Sequence, residues 1–452
     1  MKQKTAHSWF YHALTIDRDK CTGCTNCMKS CPTEAIRIRK GKALLYNNKC
    51  IDCGECYRVC PSHAIFIKQD DFGEIFKYNY RIALVPAIFI GQFSRSIRTS
   101  EVYSCLKQLG FTHIYEVEHG VPMVVEAYKQ TIREHHEAKP FISPFCPAMV
   151  RLIQVRFPSL IQHIIKIKVP LDFAAYTISE RLTSAGIRPE EIGIFYFTPC
   201  AAKIASVKSP AEETQSAITG VINMDLMYNK VKTMMSQRQN PVEPINHTLR
   251  GRDVLFGLNG GECQNYVGRC FSVDGLKNVI EFLEQIENGE IPEIDFLELR
   301  ACNQSCAGGV LTSANRFLAI ERLKMRSEII DEMNQNIAVK LPEVNTEFLA
   351  SISDKIQISE IKPRSLMALS DNISIALNKA EKLYEAESQL PGVNCCLCGA
   401  PTCHALAEDI ARGNASLTDC IFHYQNHDNI AGSLSGLWGE HKIINNSSNE
   451  NQ

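Results

Sequence analysis

The sequence predicts an α/β protein carrying a small cysteine-rich metal domain at each end, and three observations support this. Apolar strand-like runs alternate with helical stretches through the middle of the chain, the pattern of α/β layers. A Cys-x2-Cys-x2-Cys-x3-Cys-Pro motif occurs twice near the start, 29 positions apart. A further group of cysteines closes the chain from Cys395 to Cys420. With 452 residues, length sets a prior of about three domains. The 45% apolar and 22% charged content is that of a globular chain, and a net charge of −2 gives no support for nucleic acid or membrane lipid as partner. The opening Met-Lys-Gln-Lys-Thr is no apolar signal region, and the longest apolar runs, near Ile82–Phe93, fall short of the ~20 residues that span a bilayer. A cytoplasmic protein is therefore expected, and 20 cysteines in such a chain argue for metal rather than disulfides.

In the first motif, thiolates two residues apart on a tight loop reach three corners of one cubane. The fourth, before Pro at an expected helix start, crosses to the other cluster. Cys21, Cys24, Cys27 and Cys60 would hold one 4Fe–4S cluster, and Cys50, Cys53, Cys56 and Cys31 the second. Zinc is the alternative, although its sites use single Cys-x2-Cys pairs at other spacings. The segment resembles a bacterial two-cluster ferredoxin domain.

At the other end, Cys395, Cys398 and Cys403 lie on a Gly/Pro-rich loop and Cys420 follows a helical stretch. These four suit one cubane, with a zinc ribbon as the alternative. The stretch resembles the small four-cysteine 4Fe–4S domain of corrinoid and electron-transfer proteins, matching through Ala407-Glu-Asp-Ile and Asp419-Cys420. It departs at Cys396, where that family usually has Gly.

Three central β-runs end in cysteine, at Cys146, at Cys200 and at Cys302 with Cys306. Sites in α/β sheets form at the carboxyl ends of strands, so four thiolates converging there would complete another cubane. Cys146 before Pro147, Pro199-Cys200-x2-Lys203, and Glu298-x3-Cys302-x3-Cys306-x-Gly-Gly resemble the three signature loops of the [FeFe]-hydrogenase catalytic domain. The resemblance implies that Cys146, Cys200, Cys302 and Cys306 hold a 4Fe–4S cluster and that Cys306 also bridges to a diiron subsite carrying CO and cyanide. It implies that Lys203 donates a hydrogen bond to a cyanide; the alternative is an ordinary solvated lysine.

The chain departs from that family in ways that bear on turnover. Phe145 stands where active members carry a proton-shuttling cysteine, and phenylalanine cannot carry a proton. Thr198 and Arg300 replace methionines beside the expected diiron place, which Arg300 could fill with its own charge. Gly120–Thr131 lacks the paired glutamates of a proton path, and no Ser-Pro-x-Gln step follows Phe157. The layout resembles sensory members of the family, whose expected role is to perceive hydrogen or redox state with little turnover. A divergent active hydrogenase and a scaffold holding cubanes only remain as alternatives. The chain stops at Gln452 without an output module, so electrons or a signal would pass to a separate redox or signalling protein.

The expected architecture is thus an N-terminal ferredoxin-like α+β domain (1–78), a two-lobed α/β hydrogenase-like domain (79–325), a helical linker (326–388), a small C-terminal Fe–S domain (389–425) and a tail (426–452). The linker helix, with Leu366, Leu369, Ile373 and Ala376 at helical spacing, positions the last cluster or meets a partner. Cys105, Cys263, Cys270 and Cys396 are left over as small buried residues, with Cys263 after the Asn259-Gly-Gly-Glu262 loop. His135 and His136 read as exposed helix residues, with a proton relay or metal ligand as the alternative. No phosphate-cradling glycine motif is present, so no nucleotide is expected.

Overall fold

The computed structural model describes residues 11–209, 216–236, 249–291, 293–337, 346–358, 360–364 and 373–423. The expected tail at 426–452, the linker positions Leu366 and Leu369, and the side chains of His136 and Ile373 lie outside these residues. The chain divides into two compact units, one of residues 11–13, 51–53 and 68–363, the other of residues 14–50, 54–67 and 364–423.

The larger unit is built on two parallel sheets. One has four strands in the order His113–Glu116, Tyr80–Val85, Ile192–Thr198, Gly220–Asn223, and the other three in the order Cys270–Asp274, Phe296–Arg300, Phe141–Ile142. Strands of parallel sheets are covered on both faces and so read as unbroken apolar runs. All seven residues of Ile192–Thr198 are accordingly buried. Phe195 and Phe197 enter one core with Val85, Phe89, Ile222 and Leu323. Phe141 and Phe296 enter another with Val124, Tyr128, Phe145 and Phe256. Each core sits under one sheet, and the ends of the strands carry the site residues.

The helix Arg316–Ile337 crosses the expected boundary at 325, because Ala319, Leu323 and Ile330 all belong to the core of the four-stranded sheet. Among the described residues no helix is long and apolar enough to cross a membrane.

The smaller unit pairs strand Leu14–Ile16 antiparallel with Ile65–Ile67 and folds Ile36–Arg39 back on Lys42–Leu45. The expectation that Cys31 and Cys60 start helices does not hold. Each follows a one-turn helix, Asn26–Lys29 or Glu55–Arg58, and opens a turn into a strand. The reason is local: the N–H groups of Ala35 and Ala64 donate to the Cys31 and Cys60 sulfurs at 3.2 and 3.3 Å, so the turn closes around the sulfur rather than into a helix. In the same unit, helix Ile373–Gln389 shares a core with helix Cys403–Ala411 through Leu383, Ala386, Ala405 and Leu406. The loop before Cys403 docks on the hairpin, where Ile38 N–H donates to Gly399 O at 2.8 Å. Gly399 has φ +74°, and a Cβ there would stand 2.2 Å from Ile38 O, so only glycine permits this approach.

Candidate iron–sulfur centres

In the smaller unit Cys21, Cys24, Cys27 and Cys60 line one cavity together with Ile38 and Ala43. Burial, reinforced by the three neighbouring sulfurs, pushes the Cys27 thiol up to about 12. Cys56 is raised by burial and by Cys50 and Cys31. Cys53, the remaining member of that expected set, belongs to the segment 51–53 of the larger unit. Cys398 is pushed up to about 11 by burial and by Cys395 and Cys420. Cys403 opens its helix under a Thr402 cap and donates its N–H to Asn394 Oδ1 at 2.7 Å. Thiols crowded and buried in this way hold their protons until a cation replaces them, the behaviour of a metal site.

Cys396 resolves its departure from glycine by conformation. Its φ is +65°, a left-handed geometry that glycine adopts freely, and its thiol bonds to Pro401 O at 3.2 Å. It is used in the turn itself.

The central residues stand at strand ends in the larger unit. Cys146 follows Phe141–Ile142 and precedes Pro147, which starts a helix where its missing N–H costs nothing. Cys200 follows Ile192–Thr198 and caps helix Ala201–Lys208. Thr198, expected beside a diiron unit, is buried, donates its hydroxyl to Cys200 O at 2.9 Å, and so shapes the cysteine loop. Asp274, at the end of the adjacent strand, accepts the N–H groups of Gln304 and Ser305 at 2.7 and 3.2 Å and holds the turn between Cys302 and Cys306. Gly309 brings that turn against the Cys200 loop: a Cβ there would lie 2.5 Å from Pro199 O, to which Leu311 N–H donates at 3.0 Å.

The Cys200 thiol is pushed up to about 12 by burial, opposed by Lys203 and reinforced by Cys306 and Cys146. Cys306 is raised by burial against the pull of Lys203 and Arg300. Cys146, Cys200 and Cys306 thus feel one another electrostatically, and Cys302 opens the turn that carries Cys306. Lys203 is not a solvated lysine; it is 7% exposed.

What surrounds these thiols was only partly foreseen. The Lys203 ammonium lies 4.1 Å and the Arg300 guanidinium 3.9 Å from the centre of the Phe145 ring, which packs edge-on to Phe256. Arg300 NH2 pairs with Glu262 Oε1 at 2.8 Å, while Glu262 Oε2 accepts from Ser143 Oγ at 2.5 Å. Glu298 accepts N–H groups of Gly260, Glu262 and Cys263 at 3.0 to 3.1 Å, which explains the Asn259-Gly-Gly-Glu262 loop and leaves Cys263 half-buried as a backbone donor. Sequence reasoning missed Ser143, Glu262 and the Glu298–Arg300 pairing. A signal existed: Glu298 and Arg300 share one face of a strand whose other residues are apolar. Of the leftover cysteines, Cys105 is fully buried, whereas Cys270 is half-buried. His135 is exposed at its helix end.

These residues fit an anionic cubane. Arg300 is 1% exposed, yet its Nε and NH1 have no hydrogen-bond partner, and the Cys306 and Cys146 thiols lie close enough to act on its charge. A buried guanidinium with free donors calls for an anion. A diiron unit with several diatomic ligands fits less well. The cavity beside Cys306, lined also by Lys203, Phe145, Glu118 and Tyr196, measures about 30 Å³, room for a water molecule or two.

Residues 81–269 and 259–310 match a family described as the C-terminal domain of the iron only hydrogenase large subunit. Residues 13–63 match a 4Fe-4S dicluster domain, and residues 390–422 match a family described as "Putative Fe-S cluster". Iron hydrogenase 1 of Clostridium pasteurianum is 24% identical over 219 residues, 45% of this chain and 35% of that protein, so the match spans about a third of that relative. Solved structures of the [FeFe]-hydrogenase HydA1 from Chlamydomonas reinhardtii are similar to this chain. The apo form of one variant is 13% identical with a TM-score of 0.47. Another variant is 15% identical with a TM-score of 0.44. Each comparison covers 63% of this chain and 94% of that one.

Proposed function

Because the chain belongs to the family of the iron-only hydrogenase large subunit, we propose that it is a sensory-type relative that registers hydrogen or redox state with little turnover. It passes electrons or a signal to a separate cytoplasmic protein partner. Four 4Fe–4S clusters serve it, two on the ferredoxin-type ligand sets, one on Cys146, Cys200, Cys302 and Cys306, and one on Cys395, Cys398, Cys403 and Cys420. When bound, each cluster supplies a one-electron exchange site; the chain's own residues bury it, exclude water and balance its charge.

The observation that carries this reading is Phe145. By the family resemblance Phe145 stands where active members carry a proton-carrying cysteine, and its ring is packed between Lys203, Arg300 and Phe256, with the partly buried Cys146, Cys200, Cys302 and Cys306 retained in the chain. General acid–base help is worth ~10²–10⁴ in rate, so its loss favours response over turnover. The test is infrared spectroscopy of protein matured with the diiron assembly machinery, with hydrogen added, alongside hydrogen turnover of the native chain and Phe145→Cys. Bands of CO and cyanide that respond to hydrogen, with turnover near background, support hydrogen sensing. Fast native turnover that Phe145→Cys does not improve overturns the sensory reading.

Arg300 supports a second reading, in which the centre holds a cubane alone and the protein relays electrons or reports redox state. Its guanidinium is locked on Glu262 within the core and lies over the Phe145 ring, and accommodating a diiron unit in the cavity of about 30 Å³ that Phe145 lines would require that ring to move. Cubanes alone predict about sixteen iron per chain. Two further irons with CO and cyanide bands would exclude this reading.

A further inference from the structure

The cavity beside Cys306 holds a carboxylate that takes no part in cluster ligation. Glu118 lines it together with Lys203 and Cys306. Its Oε1 accepts the Ala87 N–H at 2.8 Å, whereas its Oε2 is buried without a hydrogen-bond partner. Arg326, whose charge also acts on Glu118, bonds both oxygens of Glu116 through NH2 at 2.7 and 2.8 Å and makes no hydrogen bond to Glu118.

Resting on the reading of the four central cysteines as a redox cluster, we propose that Glu118 is the proton-exchanging group of that centre, taking up one proton when the centre gains one electron and giving it back when the electron leaves. The step balances: an external low-potential donor is oxidised by one electron, the centre is reduced by one, and the Glu118 carboxylate gains H⁺ from water to become a carboxylic acid. No bond to the cluster is made or broken.

The physical reason is charge in a dry place. An electron added to a buried centre repels a nearby carboxylate far more strongly than it would in water, and protonation removes that repulsion. Glu118 is already poised for this: burial, and then the Glu116 carboxylate, push it up to about 8. The other groups facing it cannot take over the role. Glu116 is kept ionised by Arg326, and Tyr103 and Tyr196 are held well above their ordinary range by burial. Arg326 stays charged, His119 stacks on Tyr115, and Lys203 and Cys306 line the same cavity. Lys203 and Phe145 also line a second cavity of about 80 Å³, whose wall includes the partly exposed Asp172.

The test uses the full chain reconstituted with iron and sulfide, with dithionite as donor. The potential of the central centre is titrated against pH for the native protein and for Glu118→Gln, which keeps the acceptor for Ala87 N–H. The potential should fall as pH rises above about 8 in the native protein and lose that slope in Glu118→Gln. Reduced-minus-oxidised infrared spectra of the native protein should also gain a carboxylic acid C=O band that shifts in D2O. That measurement stands even if the variant fails to fold. A slope that survives in Glu118→Gln, or a native protein with neither slope nor band, overturns the proposal. If Cys146, Cys200, Cys302 and Cys306 give no redox-active centre at all, the functional reading fails first, so the two failures are distinguishable.

Discussion

Arg37 and Asp409, 372 residues apart in sequence, form an ion pair with Nε to Oδ2 at 2.8 Å, and each side chain is 1% exposed. Asp409 Oδ2 also receives Arg39 NH2 at 2.6 Å, and its neighbour Glu408 pairs with Lys49. Three cations of the hairpin region thus converge on two adjacent carboxylates of helix Cys403–Ala411. This pairing ties the four-cysteine segment to the hairpin.

Asp409→Asn should therefore release the 395–420 segment from the hairpin. Removing one partner of a buried pair leaves an uncompensated charge, costing about 3–5 kcal/mol. Hydrogen exchange should rise at Ile38, whose N–H bonds to Gly399 O in this interface. An unchanged exchange pattern would contradict the docking role.

Cys200→Ala should remove about four irons and lower the melting temperature of the larger unit, because ligands from separate strands converge only in the folded state. The ferredoxin-type and C-terminal signals should persist. Cys105→Ala, in a fully buried position outside every ligand set, should leave iron unchanged. Iron analysis with electron paramagnetic resonance checks both.

Arg300→Met should destabilise the larger unit by about 3–5 kcal/mol, since Glu262 is left buried and uncompensated. Adding Glu262→Gln should restore much of the loss. Denaturant titration of the single and double variants measures the coupling, and strict additivity would show the pair to be energetically irrelevant.

Cys396→Gly should leave iron content unchanged and hold or raise stability, because the left-handed φ of +65° costs an L-residue about 1 kcal/mol. Loss of four irons in this variant would make Cys396 a ligand.

Stability of the larger unit should fall as pH rises from about 4.5 to 8 through Glu118. Its folded pKa is raised from 4.5 to about 8, so across that window the folded state holds a proton that the unfolded state has released. The slope from one such group is at most ~1.4 kcal/mol per pH unit. Below about pH 4.5 both states are protonated and the effect vanishes. Thermal melts of native protein and Glu118→Gln should differ in slope over this window.

Much of the site was legible because cysteine spacing is local chemistry. The motifs at Cys21 and Cys50 mark a 4Fe-4S dicluster domain without any knowledge of the fold, and the strand ends before Cys146, Cys200 and Cys302 follow from apolar runs meeting Pro or a polar loop. The substitution Phe145 was visible as well, as was the oddity of Arg300. The partners of Arg300 were not visible, because Glu262 and Ser143 reach it from segments that carry no motif. The turns at Cys31 and Cys60 were misread as helix starts because N–H bonds to sulfur compete with helix formation and leave no mark in the residue pattern.

The sequence by itself determined the cysteine spacings, the α/β class and the presence of Phe145 before Cys146, since each depends on residue type at fixed spacing. Only the tertiary structure decided that Lys203 is buried against Phe145, that Arg37 finds Asp409, and that Glu118 keeps an unpaired oxygen beside Cys306. Those outcomes depend on which charges are removed from water together. That is set by packing between segments far apart in the chain, where the cost of an unpaired buried group exceeds any local preference.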